Sequence, residues 1–412
     1  MKNLYAFKYP LAAFVFACTL AHSSQAQMAA GKCKFVGNII GGSVPASFDT
    51  YWNQITPENS GKWESVEGTR DNMQWAGIRA AYNKAKSLNY PFRQHTFIWG
   101  NQFPAWIASL PQEEQLEEIE EWIRLFCEEF PDTDFIDVVN EPINDPPVAG
   151  SGNFINALGG RGTTGYDWII KAFELAREYC PKAKLHINEY NILNDTSKAN
   201  EYKNIVLLLK ERNLIDGIGV QAHGLESYTA SMLRTNLDIL ASTGLPIYVT
   251  EYDLDIADNN IQLKKMQEQF PVFWKHRGVD GITFWGYIQG AIWKTNAYLL
   301  SNTGIERPAL TWLKDYISQN EPVCFSPVTS VDQPVESLFE VYPNPAIGGR
   351  FTVVFGKPAE SLRIMDLNGR EILKLDATGK ASIEAAIDEP PGIYILHVSG
   401  RSGSVYKKLL VN

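Results

Sequence analysis

Two glutamates stand at the ends of apolar segments, where a buried strand would deliver a carboxyl group to the edge of a sheet. Glu141 follows the run Phe135–Asn140, and Glu251 follows Thr250 at the end of a second apolar run. One protonated and one ionised carboxyl group about 5 Å apart can cleave a glycosidic bond with retention of configuration. We therefore expect Glu141 to be the acid/base and Glu251 the nucleophile. For either glutamate alone, a structural ion pair is the alternative.

Polar and aromatic side chains close to other strand ends form a set that suits sugar rings. His223 could donate a hydrogen bond to Glu251, and Asp253 could support His223 by fixing its tautomer. Asn140 could bind a ring 2-hydroxyl group, while indole faces could stack on sugars. Core packing is the alternative for any single Trp. The predicted substrate-binding residues are Glu58, Asn59, Lys62, His95, Trp99, Asn140, Tyr190, Gln221, His223, Trp285 and Trp293.

Short apolar segments alternate with amphipathic segments between residues 34 and 316. The predicted strands are Phe35–Ile40, Tyr51–Glu58, Phe92–Trp99, Phe135–Glu141, Lys184–Tyr190, Gly217–His223, Pro246–Asp253 and Gly281–Tyr287. Strands that alternate with helices indicate parallel pairing, and eight such units predict an α/β protein with a (β/α)8 TIM barrel. An open doubly wound sheet is the alternative, although no Gly-rich phosphate loop follows an early strand.

The composition changes after the last predicted helix. Residues 319–337 contain three Pro with several Ser, Gln and Asp, which is typical of a linker. Residues 338–412 contain turn signals at Asn368-Gly369 and Pro391-Gly392. The short strands predicted there, with alternating apolar residues, are Phe351–Phe355, Leu362–Asp366, Glu371–Leu375 and Ile393–Val398. We therefore predict a catalytic domain over residues 33–318 and a small C-terminal all-β sandwich domain over residues 338–412.

The first 26 residues have the three parts of a secretory signal peptide. Lys2 and Lys8 give a basic start, Leu11–Leu20 is apolar, and cleavage is expected after Ala26. The net charge of -10 argues against a nucleic-acid partner. No residue spacing fits a zinc site, so we expect no metal and no cofactor. We also expect the protein to be a monomer.

Four cysteines remain after that cleavage, and an even number in a secreted chain permits disulfides. Three pairings are possible. We favour Cys33–Cys324, because these residues bracket the large domain, whose ends meet if it closes as a barrel. The second pair is then Cys127–Cys180, in which each cysteine ends a predicted helix.

Taken in order, the strand-end motifs resemble glycoside hydrolase family 10, the retaining endo-β-1,4-xylanases. The motifs are Thr56-Pro57-Glu58-Asn59 with Lys62-Trp63, His95-Thr96 with Trp99, Gln102 and Pro104, Asp137-Val138-Val139-Asn140-Glu141, Ile187-Asn188-Glu189-Tyr190-Asn191, Gly217–His223, Thr250-Glu251 with Asp253, Phe284-Trp285-Gly286 and Arg307-Pro308-Ala309. The resemblance implies the same two catalytic glutamates and most of the sugar-binding set named above. The chain departs from the frequent pattern at Gly100, where His is common, at Glu189, where Asp is common, and after Gly286.

The C-terminal segment resembles the type IX secretion sorting domain. Its motifs are Tyr342-Pro343-Asn344-Pro345, Asp366-Leu367-Asn368-Gly369-Arg370, Gly392-Ile393-Tyr394 and Lys407–Val411. The resemblance implies recognition by a secretion machinery that exports the protein from the periplasm across the outer membrane, with the domain then removed or attached to the cell surface. A carbohydrate-binding module is the alternative, although residues 338–412 contain no Trp.

The sequence therefore predicts a secreted retaining endo-1,4-β-xylanase that acts on xylan. A related barrel endo-β-1,4-glucanase or mixed-linkage glucanase is the first alternative. The two differ in whether the site leaves room for a C6 hydroxymethyl group near Trp285 and Trp293. A non-catalytic glycan-binding barrel is the second alternative, but it would be expected to have lost Glu141 or Glu251, and both are present.

Overall fold

The computed structural model of the protein describes residues 27–148, 154–326, 339–356, 358–366, 370–400 and 403–412. The chain divides into two units, with the boundary between residues 328 and 329. The predicted signal peptide, most of the predicted linker and the predicted turn at Asn368-Gly369 lie outside the described residues. Among the residues that are described, no helix is long and apolar enough to cross a membrane.

Eight parallel strands of the first unit form one sheet in the order β2-β1-β8-β7-β6-β5-β4-β3. The strands are β1 (Phe35–Ile40), β2 (Ile55–Pro57), β3 (Arg93–Ile98), β4 (Phe135–Asn140), β5 (Lys184–Glu189), β6 (Gly217–Val220), β7 (Ile247–Tyr252) and β8 (Val279–Phe284). A parallel bridge between Ile55 and Phe92 joins the two ends of this order. The predicted (β/α)8 barrel is confirmed.

The helices surround the sheet and bury their apolar sides against it. They are α1 (Phe48–Tyr51), α2 (Trp63–Val66), α3 (Ala76–Ser87), α4 (Gln112–Glu129), α5 (Asp167–Tyr179), α6 (Thr196–Lys210), α7 (Ala230–Ala241), α8 (Asn259–Lys275) and α9 (Pro308–Gln319). In α4, Ile119, Trp122 and Phe126 recur with helical spacing and are fully buried. This packing leaves the carboxyl ends of the strands and their loops free to build a site.

The predicted strand Tyr51–Glu58 is wrong in its first half. Tyr51 ends α1, and β2 begins only at Ile55. Trp52 is fully buried by ring contacts with Phe284 and Tyr287, with centroids 5.2 and 5.3 Å apart. The aromatic residues of this buried connection have the apolar pattern of a strand. A short apolar run of this kind does not distinguish a strand from another buried segment.

Both predicted disulfides are confirmed. Cys33 and Cys324 have Cα atoms 5.7 Å apart and join the segment before β1 to the segment after α9. Cys127 and Cys180 have Cα atoms 5.4 Å apart and join the ends of α4 and α5. The chain continues along the barrel beyond α9, since Val323 N donates to Trp274 O at 3.2 Å.

The second unit is all-β, as predicted, and its described residues form seven strands in the order β12-β11-β14-β15-β9-β10-β13. They are β9 (Phe339–Ile347), β10 (Arg350–Phe355), β11 (Ser361–Met365), β12 (Glu371–Asp376), β13 (Ser382–Ala386), β14 (Gly392–Gly400) and β15 (Gly403–Val411). Three of them, β9, β13 and β15, were not predicted; β9 contains Pro343 and Pro345, which argue against a strand. The apolar core of the second unit contains Phe339, Phe351, Leu362 and Leu396.

Candidate active site

A cavity of about 310 Å³ opens at the carboxyl ends of the barrel strands. It is lined by Glu58, Asn59, Lys62, His95, Trp99, Gln102, Asn140, Glu141, Gln221, His223, Glu251, Trp285 and Trp293. The structure thus brings together both predicted catalytic residues and all but one of the predicted substrate-binding residues. Tyr190 is outside this lining, and its hydroxyl group donates to Asp145 Oδ2 at 3.4 Å.

Glu141 leaves β4 with a backbone conformation that side chains rarely adopt. Its φ is 55°, in the left-handed region, which costs on the order of 1–3 kcal/mol unless the surroundings hold it. Two backbone hydrogen bonds do so: Glu141 N donates to Asn188 O at 2.8 Å, and Asp145 N donates to Glu141 O at 2.9 Å. The conformation places the Glu141 carboxyl group in the cavity instead of along the strand.

The Glu141 carboxyl group is held in its protonated form. Burial, and to a lesser extent the nearby charge of Glu251, raise its pKa to about 7. Gln221 Nε2 and Trp99 Nε1 each donate to it at 2.7 Å and oppose the shift, but both donors are neutral. A carboxyl group that keeps its proton near neutral pH can serve as a general acid.

Glu251 lies in β7, is equally buried, and is held in the opposite state. Burial alone would raise its pKa. The hydrogen bond from His223, the charges of His95 and His223, and the bond from Asn188 together hold the pKa below its usual value. Asn188 Nδ2 lies 2.7 Å from Glu251 Oε1, and His223 Nε2 lies 3.1 Å from Glu251 Oε2. An ionised, positioned carboxylate is suited to nucleophilic attack.

Asp253 controls the state of His223. Burial alone would lower the pKa of His223, but the carboxylates of Asp253 and Glu251 together outweigh burial, and the pKa rises to about 9. Asp253, whose Oδ2 lies 2.8 Å from Nδ1, contributes more than Glu251. Both ring nitrogens therefore carry protons at neutral pH, so Asp253 maintains a charged imidazolium and not merely one tautomer. Asp253 also accepts a hydrogen bond from Trp293 Nε1 at 3.0 Å, which fixes this indole beside the nucleophile.

Three amide side chains connect the two carboxyl groups. Asn140 Oδ1 accepts from Asn188 Nδ2 at 2.9 Å and from Gln221 Nε2 at 3.4 Å. Asn188 and Gln221 also donate to Glu251 and Glu141, respectively. Asn140 Nδ2 is buried and has no hydrogen-bond partner among the described residues, so it is available to donate to a ligand. The role of Asn188 was missed in the sequence, although its position at a strand end was visible.

Lys62 organises the side of the cavity formed after β2. Its Nζ donates to Gln102 Oε1 at 2.7 Å and to Asn59 Oδ1 at 3.2 Å, and it lies 5.0 Å from the centroid of the Trp99 ring. Burial raises the pKa of Glu58 on the same wall. Gln102 was not among the predicted site residues, although its motif was recognised. This wall offers several hydrogen-bonding groups beside one aromatic face.

The two other tryptophans lie beside the histidines. Trp285 is buried, with its ring 5.3 Å from that of His95. Trp293 is 55% exposed, with its ring 4.8 Å from that of His223. An exposed indole held on one edge by Asp253 presents its remaining surface to the cavity, as a stacking platform for a sugar would.

A parallel barrel whose strand ends carry one protonated and one ionised carboxyl group, beside amide donors and indole faces, has the site of a glycoside hydrolase. The sequence matches two family models. Glycosyl hydrolase family 10 matches residues 19–316, and the secretion system C-terminal sorting domain matches residues 340–412. The chain belongs to glycosyl hydrolase family 10.

Individual relatives agree with this assignment. Endo-1,4-beta-xylanase B of Cellvibrio japonicus is 43% identical over 289 residues, which cover 69% of this chain but only 46% of that protein. Endo-1,4-beta-xylanase A of Caldicellulosiruptor saccharolyticus is 30% identical over 271 residues, covering 60% of this chain and 78% of that protein. Xylanase 10B from Thermotoga petrophila RKU-1, solved in complex with xylobiose, has a TM-score of 0.62 at 26% identity, covering 72% of this chain and 97% of that one.

Proposed function

We propose that the protein is a secreted, retaining endo-1,4-β-xylanase that hydrolyses internal β-1,4 bonds of xylan by double displacement. The observation that carries this proposal is the opposite pKa shift of two buried carboxyl groups in one cavity, upward for Glu141 and downward for Glu251. The names of the relatives support xylan as the substrate.

In the first step, Glu251 attacks the anomeric carbon while the bond to the leaving oxygen breaks. The proton of Glu141 passes to that oxygen, so the sugar chain leaves as an alcohol. A covalent ester then joins the sugar to Glu251. Because this ester consumes the charge of Glu251, one cause of the raised pKa of Glu141 disappears, and Glu141 becomes a competent base.

In the second step, Glu141 accepts a proton from water as the water oxygen attacks the anomeric carbon. The ester bond breaks, Glu251 leaves as a carboxylate, and Glu141 is protonated again. Two inversions at one carbon give overall retention. The imidazolium of His223 stabilises the carboxylate that is released, since it donates to Glu251 Oε2.

The rest of the cavity lining would hold the sugars before the cleavage point. Asn140 would bind the 2-hydroxyl group of the reacting sugar through Nδ2, which has no partner among the described residues. Glu58, Asn59 and Lys62 would bind hydroxyl groups of the next sugar. Trp293 would stack on a ring through its exposed face.

The direct test is to incubate the protein with xylan and with a soluble cellulose derivative, and to measure new reducing ends. We expect release from xylan and little from the cellulose derivative. The first-formed product on xylo-oligosaccharides should have the β configuration by NMR. Release from the cellulose derivative alone would favour the glucanase alternative, and no release from either substrate would favour a glycan-binding role.

We propose further that residues 338–412 direct export across the outer membrane after residues 1–26 have directed export to the periplasm. The match to the sorting-domain family supports this route. Deleting residues 338–412 should leave active enzyme in the periplasm, measured as xylanase activity in cell fractions. Activity that still reached the medium would contradict the proposal.

The monomeric state of the protein stays a prediction.

A further inference from the structure

The loop that follows Glu141 is fixed to two neighbouring strands. Its first five residues, Pro142–Pro146, follow directly after the catalytic acid. Asp145 N closes a hydrogen bond to Glu141 O at 2.9 Å, which is one of the two bonds that hold the left-handed backbone of Glu141. The position of this loop therefore determines where the acid points.

Glu189, the last residue of β5, binds this loop through its carboxylate. It is fully buried. Oε2 accepts from the backbone N–H groups of Ile143 at 2.8 Å and Asn144 at 3.3 Å. Oε1 accepts from Asn144 Nδ2 and from Tyr190 N, both at 2.8 Å. Three of these four donors belong to the two residues that follow Pro142, so one side chain anchors the loop at three atoms.

Gly100, just after β3, receives the loop on the opposite side. Its N donates to Asp145 O at 3.1 Å. A Cβ atom at Gly100 would lie 2.2 Å from Asp145 O and 2.8 Å from Pro146 O, closer than non-bonded atoms approach. Any side chain at this position would push the loop away, whereas glycine lets it settle against β3.

We propose that Glu189 and Gly100 position the catalytic acid by holding the segment Pro142–Pro146 between β5 and β3. Neither residue touches the reacting atoms. Their effect reaches Glu141 through Asp145 N and through the short chain connection from Ile143 to Glu141. The inference rests on the proposed function, because it assumes that Glu141 protonates the leaving oxygen. It also links two of the sequence departures noted above, Gly100 and Glu189, to one structural task.

The test compares substrates that differ only in how much they need the acid. From a dinitrophenyl xylobioside, dinitrophenolate leaves as a stable anion and needs no proton. From a xylo-oligosaccharide, the leaving sugar oxygen must be protonated. Glu189→Gln keeps the shape but turns one acceptor into a donor that faces N–H groups. We expect kcat/KM to fall by about 10- to 100-fold on the oligosaccharide, within the range of general-acid effects, and to change little on the dinitrophenyl substrate.

Gly100→Ala disturbs the same loop from the other side and should show the same selective loss. Gly42→Ala is the matched control, because a Cβ there meets no atom within 4 Å and the residue lacks a positive φ. Glu189→Asp keeps both acceptor oxygens and should retain more oligosaccharide activity than Glu189→Gln. Thermal unfolding of each variant separates loss of fold from loss of positioning, and Gly100→Ala decides the matter if Glu189→Gln does not fold.

Equal losses on both substrates, or no loss on either, would overturn the positioning role. Failure of the proposed function would look different: the unaltered protein would then leave the dinitrophenyl substrate uncleaved. The two failures are therefore distinguishable in one set of assays.

Discussion

Glu251→Gln should lower kcat on xylan by on the order of 10⁴- to 10⁶-fold, as loss of a covalent nucleophile does in other enzymes. The amide fills nearly the same volume beside Asn188 and His223, but its oxygen carries no charge and cannot form the ester. The measurement is the initial rate of reducing-end release, with far-UV circular dichroism to confirm the fold. A variant that kept more than about 1% of wild-type turnover would remove Glu251 from the nucleophile role.

Glu58→Gln is the matched control for this experiment. Glu58 lines the same cavity, and burial raises its pKa, but it lies on the wall formed after β2. If Glu58 only binds a sugar hydroxyl group, its substitution should raise KM more than it lowers kcat. A second check uses Glu251→Ala with azide and the dinitrophenyl substrate. Azide entering the space left by the carboxylate should give a glycosyl azide of inverted configuration.

The barrel could be predicted because its local patterns agree with its global fold. Most predicted strands, such as Phe35–Ile40 and Phe135–Glu141, match the observed elements within a few residues. Strand periodicity and turn residues are local properties, and parallel pairing follows from the alternation with helices. The missed strands belong to the C-terminal unit, where β9 pairs antiparallel with β10 despite its two prolines. Pairing of that kind is set by tertiary contacts.

The location of the site and the contacts of His223 with Glu251 and Asp253 could also be predicted, but the network of amide side chains could not. Residues at strand ends converge in any parallel barrel, so Glu141 and Glu251 were expected on one face. The role of Asn188 depends on its simultaneous contacts with Asn140, Glu251 and Thr250, which lie on other strands. Such a network appears only when the strand order and register place the three amides together.

The sequence also predicted which glutamate carries the proton, but the physical cause of the difference is visible only in the structure. Both are buried glutamates near strand ends, with 7% and 4% of their surface exposed for Glu141 and Glu251. Their states differ because Glu141 receives two neutral donors, whereas Glu251 receives a charged one from His223. That charge in turn depends on Asp253, which lies two residues beyond Glu251 in the chain. The protonation states of the two glutamates therefore follow from their hydrogen-bond partners and the charges beside them.

Glu141→Gln should lower kcat/KM on xylo-oligosaccharides by about 10²- to 10⁴-fold, because the leaving oxygen no longer receives a proton. The loss should be much smaller for the dinitrophenyl xylobioside, whose departure needs no acid. Hydrolysis of the covalent intermediate should then become rate-limiting, since no base activates the water, and a burst of dinitrophenol should precede a slow steady state. A uniform loss on both substrates, without a burst, would contradict the acid/base role.

The same residue should determine the alkaline limb of the wild-type pH profile. Glu141 must be protonated to act, and its pKa is raised to about 7, so kcat/KM should hold up to that pH and then fall by about tenfold per pH unit. Glu251 must be ionised, and its pKa lies below the usual value, so the acid limb should lie below that of a free glutamate. Glu141→Gln should abolish the alkaline limb and leave the acid limb in place, because the amide does not titrate. An alkaline limb that persisted in this variant would assign it to another group and would leave the raised pKa of Glu141 without a part in catalysis.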